Sequence, residues 1–152
     1  MNIKISTNIS NEFEDITINI QAPKMTDELQ KIITNLSSIS SIKEEVVATK
    51  NNEIFLLNTK EILYFYSDEK YNYAKTQNET YRIKEKLYEL EENLPKNRFI
   101  RISNAYIINI EKTVSFDASL VGSLVAKMQD GTKQEVSKRR IKNVMKFLKE
   151  RR

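Results

Sequence analysis

A chain of 152 residues, 39 % apolar and 30 % charged, has room for one domain with a real core, or for a domain plus a small appendage. It contains no cysteine and no histidine. That excludes a disulfide scaffold and thiolate zinc sites, and removes the commonest general base and metal ligand, so neither catalysis nor a cofactor or metal is expected. The net charge of +4 is unevenly placed: residues 1–44 hold four basic and six acidic side chains, whereas residues 137–152 hold eight basic ones against Glu150 alone. A cationic patch that localised is an electrostatic footprint for a polyanion, with a merely solvated helix face as the bland alternative.

In chain order, residues 1–6 and 14–21 alternate apolar and polar positions (Ile3, Ile5; Ile16, Ile18, Ile20), the period of a strand. The pattern then changes to a helix with Thr26 as N-cap, Asp27 and Glu28 in the first turn, and an apolar stripe of Met25, Leu29, Ile32, Ile33 and Leu36. Residues 1–44 are therefore expected as a strand–strand–helix extension that ends near the serine-rich stretch 37–41. From residue 45 the chain reads as short strands: EEVVAT, EIFLL, EILYFYS, YNYAKT and TYRI. A helix over 84–94 follows, with Leu87, Leu90 and Leu94 on one face and Pro95 as its stop. Five further strands come next (RFIRI, YIINI, KTVSF, SLVAKM, KQEVS), with Asp130–Gly131 as a hairpin turn. The chain closes on a helix that faces inward with Ile141, Val144, Met145 and Leu148. No run approaches the ~20 apolar residues of a membrane span and the start lacks a basic-then-apolar leader, so a cytoplasmic protein is expected.

Three places carry unexplained polar groups. Ser137 is a natural N-cap, yet Lys138, Arg139 and Arg140 fill the first turn, where the helix dipole is already positive. Either these cations swing into solvent, or they and the free N–H groups form an anion site. In RFIRISNAYIINI, residues 98–110, Arg101, Ser103 and Asn104 sit between two strands. An Asn there can bond its own turn, or pair with adenine through its acceptor and donor together. SDEKYNYAK, residues 67–75, is a similar polar connection with Lys70, Tyr71 and Asn72 at its turn.

Taken together, residues 46–149 resemble a LytTR-type DNA-binding domain, a module of bacterial transcription regulators. The resemblance rests on EILYFYSDEKYNYAKT, on RIKEKLYELEENLPKNRFIRISNAYIINI and on DGTKQEVSKRRIKNVMKFL. It implies a mainly β, α+β fold of stacked small antiparallel sheets with short flanking helices over 45–152, with 1–44 as the extension. It further implies that loops, not a recognition helix, enter successive major grooves of double-stranded DNA and bend it. Carried over by position, the base-reading candidates are Asn72, Asn104 and Arg139, and the phosphate-contacting candidates are Lys70, Tyr71, Arg101, Ser103, Lys138, Arg140 and Lys142. Relatives often carry His where this chain has Asn72 and Ser103; Asn can still donate and accept at a base edge, whereas Ser103 can only reach a phosphate.

Many relatives have a receiver domain upstream, for which 44 residues are too few. The resemblance is to the compact class of these regulators, which implies control by a partner such as a small membrane protein. The extension then either packs on its own domain or pairs two protomers as a homodimer on repeated sites. The alternative reading is an RNA- or ribosome-binding protein, because Tyr64, Tyr66, Tyr71, Tyr73 and Tyr81 could stack single-stranded bases. A small-molecule substrate is not expected: Glu44–Glu45 and Glu89–Glu91–Glu92 read as a strand edge and a solvated helix face.

Overall fold

The computed structural model describes residues 2–39 and 43–151; part of the boundary expected at 37–41 lies outside them. The chain divides into two compact units, Met1–Ser37 and Ser38–Arg152. In the first, α1 (Asp27–Ile39) starts as its residues dictate: the Leu29 N–H donates to Thr26 Oγ1 at 3.2 Å and the Gln30 N–H to the Thr26 carbonyl at 2.9 Å. The two strands expected before it do not form, and residues 2–21 make no strand ladder. Ile3, Ile5, Ile18 and Ile20 instead border a cleft of about 520 Å³ beside Leu29 and Ile32, while Ile16 is 96 % exposed. Alternation shows which side chains share a face, but a ladder also needs a partner in register, and an isolated two-stranded ribbon is marginal in water.

The second unit holds all ten strands expected of it. β1 (Glu45–Lys50), β2 (Glu53–Asn58), β3 (Tyr64–Asp68), β4 (Tyr71–Lys75), β5 (Thr80–Ile83), β6 (Phe99–Arg101) and β7 (Tyr106–Asn109) form one sheet in the order β2-β1-β5-β4-β3-β7-β6. β8 (Thr113–Asp117), β9 (Val125–Met128) and β10 (Lys133–Glu135) form a second, and every pairing in both is antiparallel. The hairpin turns follow local chemistry. Asn51 and Asn52 take the left-handed conformation (φ 51° and 64°), which Asn tolerates, and Gly131 takes φ 86° where a side chain would be strained.

Because strand side chains alternate, the large sheet buries a core on each face. On one face Val46, Ala48, Phe65, Ala74, Ile83 and Ile107 pack with Leu87, Leu90 and Leu94 of α2 (Leu87–Asn93) and its C-terminal end. On the other, Tyr64, Ile100 and Ile108 meet Leu124, Ala126 and Met128 of the small sheet and Val144 of α3 (Lys138–Glu150). The two sheets are thus stacked, as expected, with α2 and α3 flanking them. Asn109, near the end of the RFIRISNAYIINI stretch, is fully buried and wholly structural. Its Nδ2 donates to the Ile62 carbonyl at 2.8 Å, and its Oδ1 accepts the Glu111 N–H at 2.9 Å to cap a short 3-10 turn. Among the described residues no helix is long and apolar enough to cross a membrane.

One tie between the sheets titrates. Tyr64 Oη donates to Asp130 Oδ2 at 3.1 Å, and burial, its dominant cause, pushes the Tyr64 pKa up to about 12. The folded protein therefore holds this proton more tightly than the unfolded chain, whose Tyr titrates near 10. The stabilisation, about 2–3 kcal/mol, is complete below pH ~10 and is lost as pH rises toward ~12. Urea-unfolding midpoints should fall over that window in the wild type. In Tyr64→Phe, which has no proton to lose, the alkaline fall should be shallower; equal slopes refute the assignment.

Candidate nucleic-acid interface

The exposed cations expected to meet a polyanion lie beside loops that the main chain ties together. At the end of β10 the Val136 N–H donates to the Leu124 carbonyl at 2.9 Å, and the next residue, Ser137, donates its N–H to the Ile102 carbonyl at 2.8 Å. The start of α3 is thereby fixed against the β6–β7 connection. The Ser67 N–H of β3 donates to the Ala105 carbonyl at 2.9 Å, so the β3–β4 hairpin joins the same cluster. Arg139 and Asn104, 35 positions apart in sequence, meet directly: Arg139 Nη2 donates to Asn104 Oδ1 at 2.5 Å, and both side chains are exposed.

The loop that carries Asn104 is held from below. Arg101 donates from Nε to the Ser103 carbonyl at 3.0 Å, from Nη2 to the Asn104 carbonyl at 2.7 Å, and from Nη1 to Glu91 Oε2 at 2.8 Å. Its side chain is 15 % exposed. The guanidinium expected on a phosphate is therefore spent on ordering the loop and pairing with α2. Ser103 Oγ accepts the Ala105 N–H at 3.3 Å, a bond within its own turn. Arg140 also turns inward: its Nη1 lies 3.9 Å from Glu91 Oε1, and desolvation lowers the pKa of its guanidinium while Glu91 opposes the shift.

At α3, Ser137 occupies the N-cap position, but its hydroxyl makes no cap bond and is buried without a partner. The Ser137 side chain thus gives the first-turn N–H groups nothing, and only its carbonyl accepts one of them, the Arg140 N–H at 2.9 Å. Lys138, Arg139 and Lys142 are exposed, and none of them forms an ion pair among the described residues. Cations placed against the dipole without neutralisation cost a few tenths of a kcal/mol each, a cost that an anion would remove.

In the β3–β4 hairpin the turn proper is Glu69–Lys70, with Glu69 at φ 53°, so Tyr71 and Asn72 lie on β4. Lys70 is exposed at the apex. The amide of Asn72 is occupied at both ends: Ser67 Oγ donates to its Oδ1 at 2.5 Å, and its Nδ2 donates to the Glu85 carbonyl at 3.0 Å. Sequence reading missed Arg82, whose guanidinium stacks 3.5 Å above the centroid of the Tyr71 ring. The register that makes them neighbours, Asn72 opposite Ile83, leaves no local signal. It missed Glu91 as well, since an acidic residue on a short helix face reads as solvated.

The tyrosines are not a free platform. Tyr66 stacks on Tyr73 (centroids 5.1 Å apart) and on Tyr106 (5.6 Å), and Tyr81 packs on Phe55 at 5.1 Å.

The family model described as the LytTr DNA-binding domain matches residues 52–149. An uncharacterized HTH-type transcriptional regulator of Staphylococcus aureus (strain NCTC 8325) is 37 % identical over 100 residues, 66 % of either chain. A second, from strain MSSA476, is 34 % identical over 107 residues, 70 % of this chain and 71 % of that one. The chain thus spans about two thirds of the length of such relatives. A solved LytTr DNA-binding domain from Bacillus cereus superposes with a TM-score of 0.67 at 23 % identity, over 70 % of this chain and 97 % of that one, which establishes the likeness of fold. With most of its length inside the family match, the chain belongs to the LytTR DNA-binding domain family.

Proposed function

We propose that this protein is a sequence-specific transcriptional regulator of the double-stranded DNA-binding kind, which reads the major groove through the β6–β7 loop and the start of α3. The observation that carries this is the exposed pair formed by Arg139 at the start of α3 and Asn104 on a loop fixed by Arg101. Arg suits guanine, and Asn suits adenine, through two-point contacts at the base edge. Lys138, Lys142 and Lys70 supply phosphate contacts that position without specifying. Tyr71 joins them with Arg82 stacked on its ring. Arg101, Ser103 and Arg140 act from beneath, by holding the loop and α3 in place. Asn72 reaches a base only by giving up its bonds to Ser67 and Glu85, so its favoured role is to brace the hairpin that presents Lys70.

The helix-turn-helix in the relatives' names is not the device proposed: β6 to β10 separate α2 from α3. No catalytic step is part of this reading. It places the protein in the cytoplasm with its DNA. The 1–44 extension is assigned to pairing protomers on repeated sites or to a regulating partner such as a small membrane protein. RNA binding is disfavoured because Tyr66, Tyr73 and Tyr106 spend their faces on one another.

A mobility-shift assay with duplex and single-stranded competitors tests the reading, with duplex preference and a steep loss of affinity in salt as the expected outcome. Lys142→Ala should weaken specific and random duplexes alike, by several-fold, and reduce the salt slope by about one. Wild-type salt dependence in that variant would remove Lys142 from the contact set.

A further inference from the structure

The β8–β9 connection, residues 118–124, enters the arrangement above only through the Leu124 carbonyl, and it rises from the same place. Leu124, its last residue, is buried, and its carbonyl holds the Val136 N–H, three residues before Arg139. Asp117 and Glu135 both pair with Val125, so this connection and the start of α3 leave the small sheet at one end. The connection is ordered. Asp117 Oδ1 accepts the Ser119 N–H at 2.9 Å, the Leu120 carbonyl accepts the Ser123 N–H at 3.0 Å, and Gly122 takes φ +73° as the turn requires. At its apex stand two apolar side chains in solvent: Leu120 is 72 % exposed and Val121 fully exposed.

A single exposed apolar residue needs no explanation, but an adjacent pair on a fixed turn beside a cationic reading site does. Backbone bonds internal to the turn mean that little ordering remains to be done on contact. Lys138 and Arg139, which follow from the same end of the small sheet, favour a polyanion over an apolar protein surface as the occupant. Within a DNA groove, the group that an aliphatic side chain recognises is the thymine C5-methyl, which is displayed in the major groove.

We propose that the Leu120–Val121 turn is a further DNA-reading element, and that it contacts a thymine methyl on the flank of the bases met by Asn104 and Arg139. This rests on the DNA-binding reading above. The test uses the full chain. A duplex is selected from a random library, each of its thymines is replaced in turn by uracil, which lacks only the methyl, and affinities are compared for wild type and Leu120→Ser/Val121→Ser. Both positions face solvent, so the variant should fold with unchanged stability.

The expected result is that uracil at one or two positions weakens wild-type binding by about threefold to tenfold, the scale of one buried methyl. The variant should be weaker on the all-thymine duplex and insensitive to those same replacements, with random-duplex affinity unchanged. Equal uracil sensitivity in wild type and variant overturns the turn contact alone. So does a variant of wild-type affinity, a pattern that would move the pair to a protein contact. A wild-type chain that selects no duplex sinks the underlying DNA reading, and this proposal with it.

Discussion

Arg139→Ala is expected to lower affinity for a selected duplex by about tenfold to a hundredfold while changing random-duplex affinity far less, because a two-point base contact discriminates by ~1–3 kcal/mol. The geometry adds a second expectation. Arg139 Nη2 is bonded to Asn104 Oδ1, so each side chain fixes the position of the other before DNA arrives. Asn104→Ala should therefore impair Arg139 as well, and the double variant should lose less than the sum of the two singles. Residues that share a hydrogen bond typically couple by ~0.5–3 kcal/mol, and fluorescence-anisotropy titrations of the four proteins measure that term. Strict additivity would mean that the pair does not act as a unit. Equal losses on selected and random duplexes would reduce Arg139 to a phosphate contact.

Arg101→Ala should be the more damaging change, because it acts on fold and binding together. A single guanidinium satisfies the carbonyls of Ser103 and Asn104 and pairs with Glu91. Hydrogen bonds to charged groups contribute about 1.5–3 kcal/mol, so a stability loss of about 2 kcal/mol is expected by urea unfolding. Affinity for the selected duplex should fall at least tenfold as Asn104 loses its fixed position. Arg101→Lys keeps the charge but not the planar fork, and should recover only part of either quantity. A side chain that merely touched phosphate would behave otherwise: unfolding would be unchanged, all duplexes would weaken together, and Lys would restore both.

The strands were legible because polar breaks separate short β-branched and aromatic runs, and Asp130–Gly131 and Asn51–Asn52 mark turns by chemistry that acts within a few residues. Pairing order was not. β5 lies between β1 and β4, and nothing local in Thr80–Ile83 says so. The same limit explains the site. Asn104 and Arg139 could be named from a loop position and a helix start, but their direct contact depends on how β10 delivers Ser137 to Ile102. Arg101 could be seen as a cation and not as a clamp, since its partner Glu91 sits on another element. Asn72 was placed in a turn because its polar neighbours suggested one, whereas the two-residue hairpin puts it on β4. In the extension, alternation suggested strands, but regular hydrogen bonding needs a neighbour that residues 2–21 lack.

The main-chain ties at Val136, Ser137 and Ser67 have a consequence for the ligand. Loops stitched to one another cannot open independently, so the spacing between their tips is set before any encounter. On the proposed reading, the double helix must accommodate that spacing, and its elastic cost depends on steps no side chain touches. Pyrimidine–purine steps such as TA and CA yield most readily, so they should be favoured between the contacted bases, where the protein selects for compliance without touching a base.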